Sequence, residues 1–176
     1  MTEERIDRIR SLIRDVPDFP KPGILFKDIT PLLASHEGFV TCLDLIQERF
    51  ASVRPDVVVG IESRGFIFGA ALAARMAASF VPARKPGKLP ADTDRVEYEL
   101  EYGSDCVEMH RDAIRPGSRV LVVDDLIATG GTAWAACELV RRQQGELVGA
   151  AFVIELAFLD GRKRLAPLEP YSILRY

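Results

Sequence analysis

Short apolar runs alternate with helix-periodic segments over most of the chain. The apolar runs are rich in β-branched residues and bounded by turn residues, which predicts buried strands. These runs lie at 56–61, 80–83, 119–123, 147–156 and 171–175. Helical spacing of apolar residues at 69–78 and 132–144 predicts helices between them. Continuous apolar strands that alternate with helices indicate an α/β fold, with a parallel core sheet flanked by helices.

The first fifty residues have a different pattern. Apolar residues at helical spacing predict a first helix over 6–16, which the following proline ends. The segment 18–31 is too rich in proline for a helix and too apolar for a solvated linker, so we expect a structured loop. Ser35 is a suitable cap for a second helix, with its apolar face over 39–50.

Residues 95–111 alternate strictly between apolar and polar positions on both sides of a turn at 103–105. This period of two predicts an antiparallel hairpin. A basic, proline- and glycine-rich loop at 84–94 precedes it. No repeat or composition shift marks a second domain, so we expect a single domain over 1–176.

Composition narrows the class of protein. A net charge of −3 provides no general basic surface for nucleic acid, and charges interrupt every apolar run before the length of a membrane span. The N-terminus lacks the apolar stretch of a signal peptide. Three widely spaced cysteines favour a reducing compartment, so we expect a cytoplasmic protein. Two histidines are too few for a histidine-rich metal centre.

The stretch VLVVDDLIATGGT at 120–132 combines a buried strand, two adjacent carboxylates and a glycine turn that opens a helix. Free backbone N–H groups at the helix start attract anions, and glycines allow a phosphate to approach closely. Asp124 and Asp125 would repel that phosphate but can accept hydrogen bonds from a cis-diol. Ribose 5-phosphate offers a phosphate to the glycine turn and a cis-diol to the two aspartates. The alternatives are a capped turn without a ligand and, less well matched, the phosphate loops that need GxxxxGK[ST] or GxGxxG.

From residue 17 onward the chain resembles the type I phosphoribosyltransferases, and among them the adenine-specific members. VVDDLIATGGT is similar to the family's phosphoribosyl-pyrophosphate signature. The segments DFPKPGILFKDITP, GIESRGFIFG, RKPGKLP and YELEYG also resemble the family's, in its order and at its spacing. The resemblance implies the type I phosphoribosyltransferase fold, with the hairpin and basic loop as a mobile hood and an N-terminal base-binding segment.

The resemblance also implies a role for particular residues. Ribose and 5-phosphate binding is implied for Asp124, Asp125, Ala128, Thr129, Gly130, Gly131 and Thr132. Pyrophosphate binding is implied for Glu62, Ser63, Arg64, Arg84, Lys85 and Lys88, with a cis peptide at Glu62–Ser63. Adenine binding is implied for Leu25, Phe26 and Lys27, and catalysis for Glu101 and Arg64. Taken alone, each has an ordinary alternative: a surface ion pair for Arg64, solvent exposure for Glu101 and the lysines, a core position for Phe26.

The implied reaction is adenine plus 5-phosphoribosyl 1-pyrophosphate giving AMP plus pyrophosphate, a step of purine salvage. Magnesium would bind through substrate oxygens rather than through protein ligands, and the partner would be a second copy of the chain in a homodimer. Two alternatives stay open. One is another base, such as a 6-oxopurine or orotate; the other is a regulator that binds phosphoribosyl pyrophosphate without chemistry.

Overall fold

The computed structural model describes residues 2–99 and 103–176, which form two compact units that divide after Leu45. The first unit contains two helices, a two-stranded antiparallel sheet and the start of a third helix. Its elements are α1 (Thr2–Ser11), β1 (Arg14–Pro17), β2 (Leu25–Asp28), α2 (Thr30–Ala34) and α3 (His36–Phe50).

The prediction for the N-terminal segment is partly wrong. The first helix ends at Ser11, not at residue 16, and residues 14–17 form β1 instead. Part of the expected loop, 25–28, forms β2 and pairs with β1. Ion pairs join the two strands at Arg14–Asp28 (3.1 Å) and Lys27–Asp15 (2.6 Å). Helical spacing over 6–16 was therefore misleading, because cross-strand pairing outweighs local helix periodicity in its last residues.

The helix predicted after Ser35 is α3, and its start agrees with the prediction. Ser35 precedes α3, and its Oγ accepts a hydrogen bond from the backbone N–H of Gly38 at 3.1 Å. This contact satisfies one of the N–H groups that a helix start leaves free. Leu43 and Ile46 on α3 are buried, as expected for its apolar face.

The second unit is built on a five-stranded parallel sheet in the order β4-β3-β7-β8-β9. Helices α4 and α5 pack against its strands. The elements are β3 (Val57–Ile61), α4 (Gly65–Met76), β4 (Ser79–Ala83), β5 (Thr93–Glu99), β6 (Ser104–His110), β7 (Arg119–Ile127), α5 (Gly131–Arg142), β8 (Glu146–Glu155) and β9 (Tyr171–Arg175). The predicted α/β class with a parallel core is confirmed.

Burial explains why these runs form strands. All five residues of β3 are buried, and Leu121 on β7 and Phe152 on β8 have no exposed surface. A strand covered on both faces has no polar side and therefore reads as a continuous apolar run. Small residues on α5, such as Ala135 and Ala136, are fully buried and allow the helix to lie close to the sheet.

The predicted antiparallel hairpin is also confirmed. β5 pairs with β6 in a register that places Val96 opposite Val107. Val96 and Tyr98 are buried while Glu97 and Glu99 are exposed, so the alternation separates a packed face from a solvent face. The hairpin is joined to the end of β4, because the backbones of Arg84 and Glu108 exchange hydrogen bonds of 2.9 and 2.7 Å.

Candidate functional site

The loops that follow three parallel strands contain most of the predicted site residues of the second unit. Residues 62–64 follow β3, residues 84–88 follow β4, and residues 128–132 follow β7. Since β4, β3 and β7 are parallel neighbours, these loops meet at one edge of the sheet. Ligands of open α/β sheets bind at this carboxyl edge.

The two aspartates lie within β7 rather than after it, because the strand continues to Ile127. This corrects the predicted strand end at residue 123. Asp125 is buried, and its Oδ2 lies 2.9 Å from Nε of Arg64. Asp124 is half-buried and lines a cavity of about 220 Å³ together with the run 126–133. A methyl group on Gly65 would lie 2.8 Å from Oδ1 of Asp124, so only glycine permits α4 to begin against this carboxylate.

Burial and mutual repulsion govern the charge of the pair. Burial raises the pKa of Asp124 well above its usual value, and the negative charge of Asp125 raises it further. Burial also raises the pKa of Asp125, although the Arg64 guanidinium opposes that rise. Such a pair stabilises neighbouring hydrogen-bond donors and cations, because these relieve the repulsion between the two acids.

The phosphate loop (residues 128–132) packs against the backbone of Gly161, which is distant in sequence. Gly130 has a φ of +78°, a left-handed conformation that favours glycine. A methyl group there would lie 2.3 Å from the carbonyl oxygen of Gly161, and one on Gly161 would lie 2.1 Å from the carbonyl oxygen of Ala128. The two glycines therefore pack backbone against backbone, and α5 begins at Gly131, directly after Gly130. The sequence reasoning missed Gly161, whose local pattern indicates only a turn.

Tyr98 was also missed as a site residue. Its hydroxyl lies 2.8 Å from Oγ1 of Thr132, and its ring packs where a side chain on Gly131 would be. The same hydroxyl contacts Lys85 and Asp105. Period-two alternation identified Tyr98 as an inward-facing residue of the hairpin, but alternation contains no information about which loop it meets.

Glu62 contacts three of the predicted pyrophosphate-binding residues, two of them through their cationic groups, whereas the Lys85 ammonium contacts Asp105. The Glu62 carboxylate accepts hydrogen bonds from Nη2 of Arg84 (3.2 Å), the backbone N–H of Lys85 (2.8 Å) and Nζ of Lys88 (2.6 Å). Burial raises the pKa of Glu62, but these hydrogen bonds outweigh it and lower the pKa to about 2. The Glu62–Ser63 peptide is cis, as the family resemblance implied.

The predicted adenine-binding residues lie in the first unit, on β2. Leu25 is half exposed, and the ring of Phe26 contacts that of Phe19 edge to face with centroids 5.1 Å apart. The side chain of Lys27 is buried and its ammonium is paired with Asp15. Lys27 therefore contributes structure through its side chain, while its backbone pairs β2 with β1 opposite Asp15.

The predicted catalytic carboxylate, Glu101, lies outside the described residues. No group of three or more histidine, cysteine, aspartate or glutamate side chains within residues 2–99 and 103–176 has metal-binding geometry. Over the same residues, no helix is long and apolar enough to cross a membrane.

The chain matches the phosphoribosyl transferase domain family over residues 29–173. That range includes the aspartate pair, the phosphate loop and the cations around Glu62. The chain therefore belongs to the phosphoribosyltransferase family.

Individual relatives show which members of the family the chain is similar to. The chain is 64% identical over 165 residues to an adenine phosphoribosyltransferase of Sorangium cellulosum, covering 94% of this chain and 82% of the relative. The adenine phosphoribosyltransferase of Rhodothermus marinus superposes with a TM-score of 0.94 at 52% identity, with 99% of each chain covered. The Saccharomyces cerevisiae enzyme, solved with an imino-altritol bisphosphate and adenine, has a TM-score of 0.92 at 41% identity, covering 98% and 99%. Within the family, the chain belongs to the adenine phosphoribosyltransferases.

Proposed function

We propose that the chain transfers the 5-phosphoribosyl group of 5-phosphoribosyl 1-pyrophosphate to adenine, producing AMP and pyrophosphate. The observation that carries this proposal is the aspartate pair of β7, which leads directly into the phosphate loop. The aspartate pair is suited to a cis-diol and the loop is suited to a phosphate. Ribose 5-phosphate presents both groups. The identity to adenine phosphoribosyltransferases supports adenine as the acceptor.

The proposed roles follow from the chemistry of each group. Backbone N–H groups of 128–132, with the hydroxyls of Thr129 and Thr132, donate to the 5-phosphate. Asp124 and Asp125 accept from the ribose hydroxyls. Displacement at the anomeric carbon develops positive charge on the sugar, which these carboxylates stabilise electrostatically. Glu101 is proposed to act either on this charge or on the purine.

The leaving pyrophosphate is proposed to take over the cations that Glu62 now gathers. The side chains of Arg84 and Lys88 and the backbone N–H of Lys85 contact Glu62, which keeps these three residues close together. Arg64 offers a planar fork for phosphate oxygens. Closure of the hairpin and basic loop as a hood would exclude water, which would otherwise hydrolyse the activated sugar.

Magnesium is the proposed cofactor. The ion would be held through oxygens of the substrate, the ligand atoms that magnesium prefers, and its charge would relieve the repulsion that Asp125 exerts on Asp124. When bound, the ion would neutralise charge on the pyrophosphate, and substrate oxygens would supply most of its ligands.

Adenine selection is proposed to rest on the backbone of Leu25 and Lys27, with the base stacked on Phe26. Adenine presents an N6 donor beside an N1 acceptor, which matches a backbone carbonyl and a backbone N–H group. Hypoxanthine presents the reverse pair. Sites built on such hydrogen bonds can reject the wrong partner by roughly 10⁴-fold. The pairing of the Lys27 ammonium with Asp15 supports backbone reading, because that side chain is already engaged.

The decisive test measures kcat/KM for adenine, hypoxanthine and guanine. We expect adenine to exceed the other bases by several orders of magnitude, and Lys27→Ala to preserve that preference even if activity falls. Comparable rates with hypoxanthine would favour a 6-oxopurine enzyme. Binding of phosphoribosyl pyrophosphate without turnover of any base would favour the regulator.

Three further properties are proposed with this function. The chain works as a homodimer, acts as a single domain over 1–176 and resides in the cytoplasm. The three cysteines, Cys42, Cys106 and Cys137, are all unpaired, which supports a reducing compartment.

A further inference from the structure

The Tyr98 hydroxyl is a junction between the proposed 5-phosphate and pyrophosphate sites. It lies 2.8 Å from Oγ1 of Thr132 on the phosphate loop, accepts a hydrogen bond from Nζ of Lys85 at 3.2 Å and donates one to Oδ2 of Asp105 at 3.0 Å. Lys85 also contacts Asp105 directly. Tyr98 is buried, and burial together with the Asp105 contact raises its pKa, so the phenol is protonated at neutral pH.

The number of available protons limits the hydrogen bonds that can form around the Tyr98 hydroxyl. A phenol has one proton to donate, an ionised carboxylate can only accept, and an ammonium can only donate. While Tyr98 donates to Asp105, as it does in this structure, Thr132 must donate its own proton to Tyr98 and has none for a phosphate. If the Tyr98 proton shifts to Thr132, the Thr132 proton is free to point at the phosphate. Lys85 makes this shift possible, because it continues to donate to Asp105.

We propose that Tyr98 is a positioning residue for the sugar phosphate: when the 5-phosphate is bound, its hydroxyl donates to Thr132 instead of to the competing acceptor Asp105, and so directs the Thr132 proton to the phosphate. The inference rests on the proposed function, since it assumes that 128–132 binds the phosphate. It assigns the hairpin a part in binding the sugar phosphate, distinct from its proposed role as a hood.

Tyr98→Phe tests the hydroxyl alone, since the ring that packs on Gly131 stays in place. We expect the dissociation constant for AMP, measured by calorimetry, to rise roughly 5- to 20-fold, and that for inorganic pyrophosphate to change less than twofold. Asp105→Ala should act in the opposite direction and tighten AMP binding, because it removes the competing acceptor. Tyr171→Phe on β9, outside the site, is the matched control and should bind AMP as the wild type does.

A double-mutant cycle separates positioning from general damage. Thr132→Val removes the hydroxyl that Tyr98 is proposed to orient, so Tyr98→Phe should add less than twofold in that background. Additive effects, or a Tyr98→Phe variant with unchanged affinity for AMP, would overturn the inference. Weaker AMP binding by Asp105→Ala would also overturn it and needs no tyrosine variant to fold. A wild type that binds no AMP would overturn the proposed function, and this inference with it.

Discussion

Asp124 and Asp125 are adjacent residues of the same type, but they lie in different surroundings. Asp125 is buried against Arg64, whereas Asp124 lines the cavity above the phosphate loop. Burial raises the pKa of both acids, so each is more stable when a donor or cation is close. Substrate hydroxyls are such donors, which ties the charge state of the pair to the ligand.

Asp125→Asn should lower kcat/KM for 5-phosphoribosyl 1-pyrophosphate by roughly 10- to 100-fold. A neutral amide loses charge-assisted hydrogen bonds worth about 1.5–3 kcal/mol and leaves Arg64 without its anionic partner. Steady-state kinetics with Asp112→Asn, an exposed acid between β6 and β7, provide the control. Equal effects of the two substitutions would contradict the diol assignment for Asp125.

Gly130 can be tested against a glycine with the same backbone conformation. Gly130 and Gly117 have φ values of +78° and +79°, but a methyl group on Gly117 would meet nothing within 4 Å. The left-handed conformation alone should cost each alanine variant about 1 kcal/mol of stability, and the clash with the Gly161 backbone should destabilise Gly130→Ala further. Only Gly130→Ala should also lose AMP binding in calorimetry, because its methyl group collides with Gly161. Intact AMP binding by Gly130→Ala would show that this backbone packing is not needed.

At the scale of elements, Glu62 couples two loops that follow neighbouring strands. It belongs to the loop after β3, and its partners Arg84, Lys85 and Lys88 follow β4. The contact therefore fixes the geometry of the basic loop from the adjacent strand. This explains how a loop rich in proline and glycine can present several cations in one place.

The Glu62 contacts predict a pH-dependent contribution to stability. Its pKa is lowered from 4.5 to about 2, so the contribution is fully present above pH 4.5 and disappears as the pH falls through the lowered value. Urea unfolding at pH 7, 5, 4 and 3 should show the wild type more stable than Glu62→Gln at high pH, with the difference shrinking below pH 4.5. Glu97→Gln, an exposed acid on β5, controls for the loss of a carboxylate. Parallel curves for the wild type and Glu62→Gln would refute the coupling.

At the scale of the whole molecule, we expect the chain to assemble with a second copy of itself. Several large apolar side chains are exposed in the second unit, among them Ile67 on α4 and Phe158 after β8. Burial of such surface against a second copy would be favourable. These exposed residues support the proposed homodimer.

Sedimentation equilibrium should give a mass of about twice the 19.5 kDa of one chain at micromolar concentration. Dilution to nanomolar concentration should show whether activity follows the dimer. A mass of one chain at concentrations where the enzyme is fully active would remove the homodimer from the proposed function.

Much of the fold and part of the site could be predicted from local sequence. The parallel strands follow from continuous apolar runs such as 57–61, and the hairpin follows from its alternation, because burial on two faces or one leaves its own period in the chain. The phosphate loop was recognisable because its strand, glycines and helix start lie within thirteen consecutive residues. Family membership followed from several such segments in order.

Contacts between distant residues were decided only by the tertiary structure. Thr132 and Tyr98 are 34 residues apart, Glu62 and Lys88 are 26 apart, and Gly161 reaches Gly130 from beyond two intervening elements. The pairing of β1 with β2 likewise replaced a locally plausible helix. Local patterns report how each residue is buried, but not which partner buries it, because that depends on the path of the whole chain.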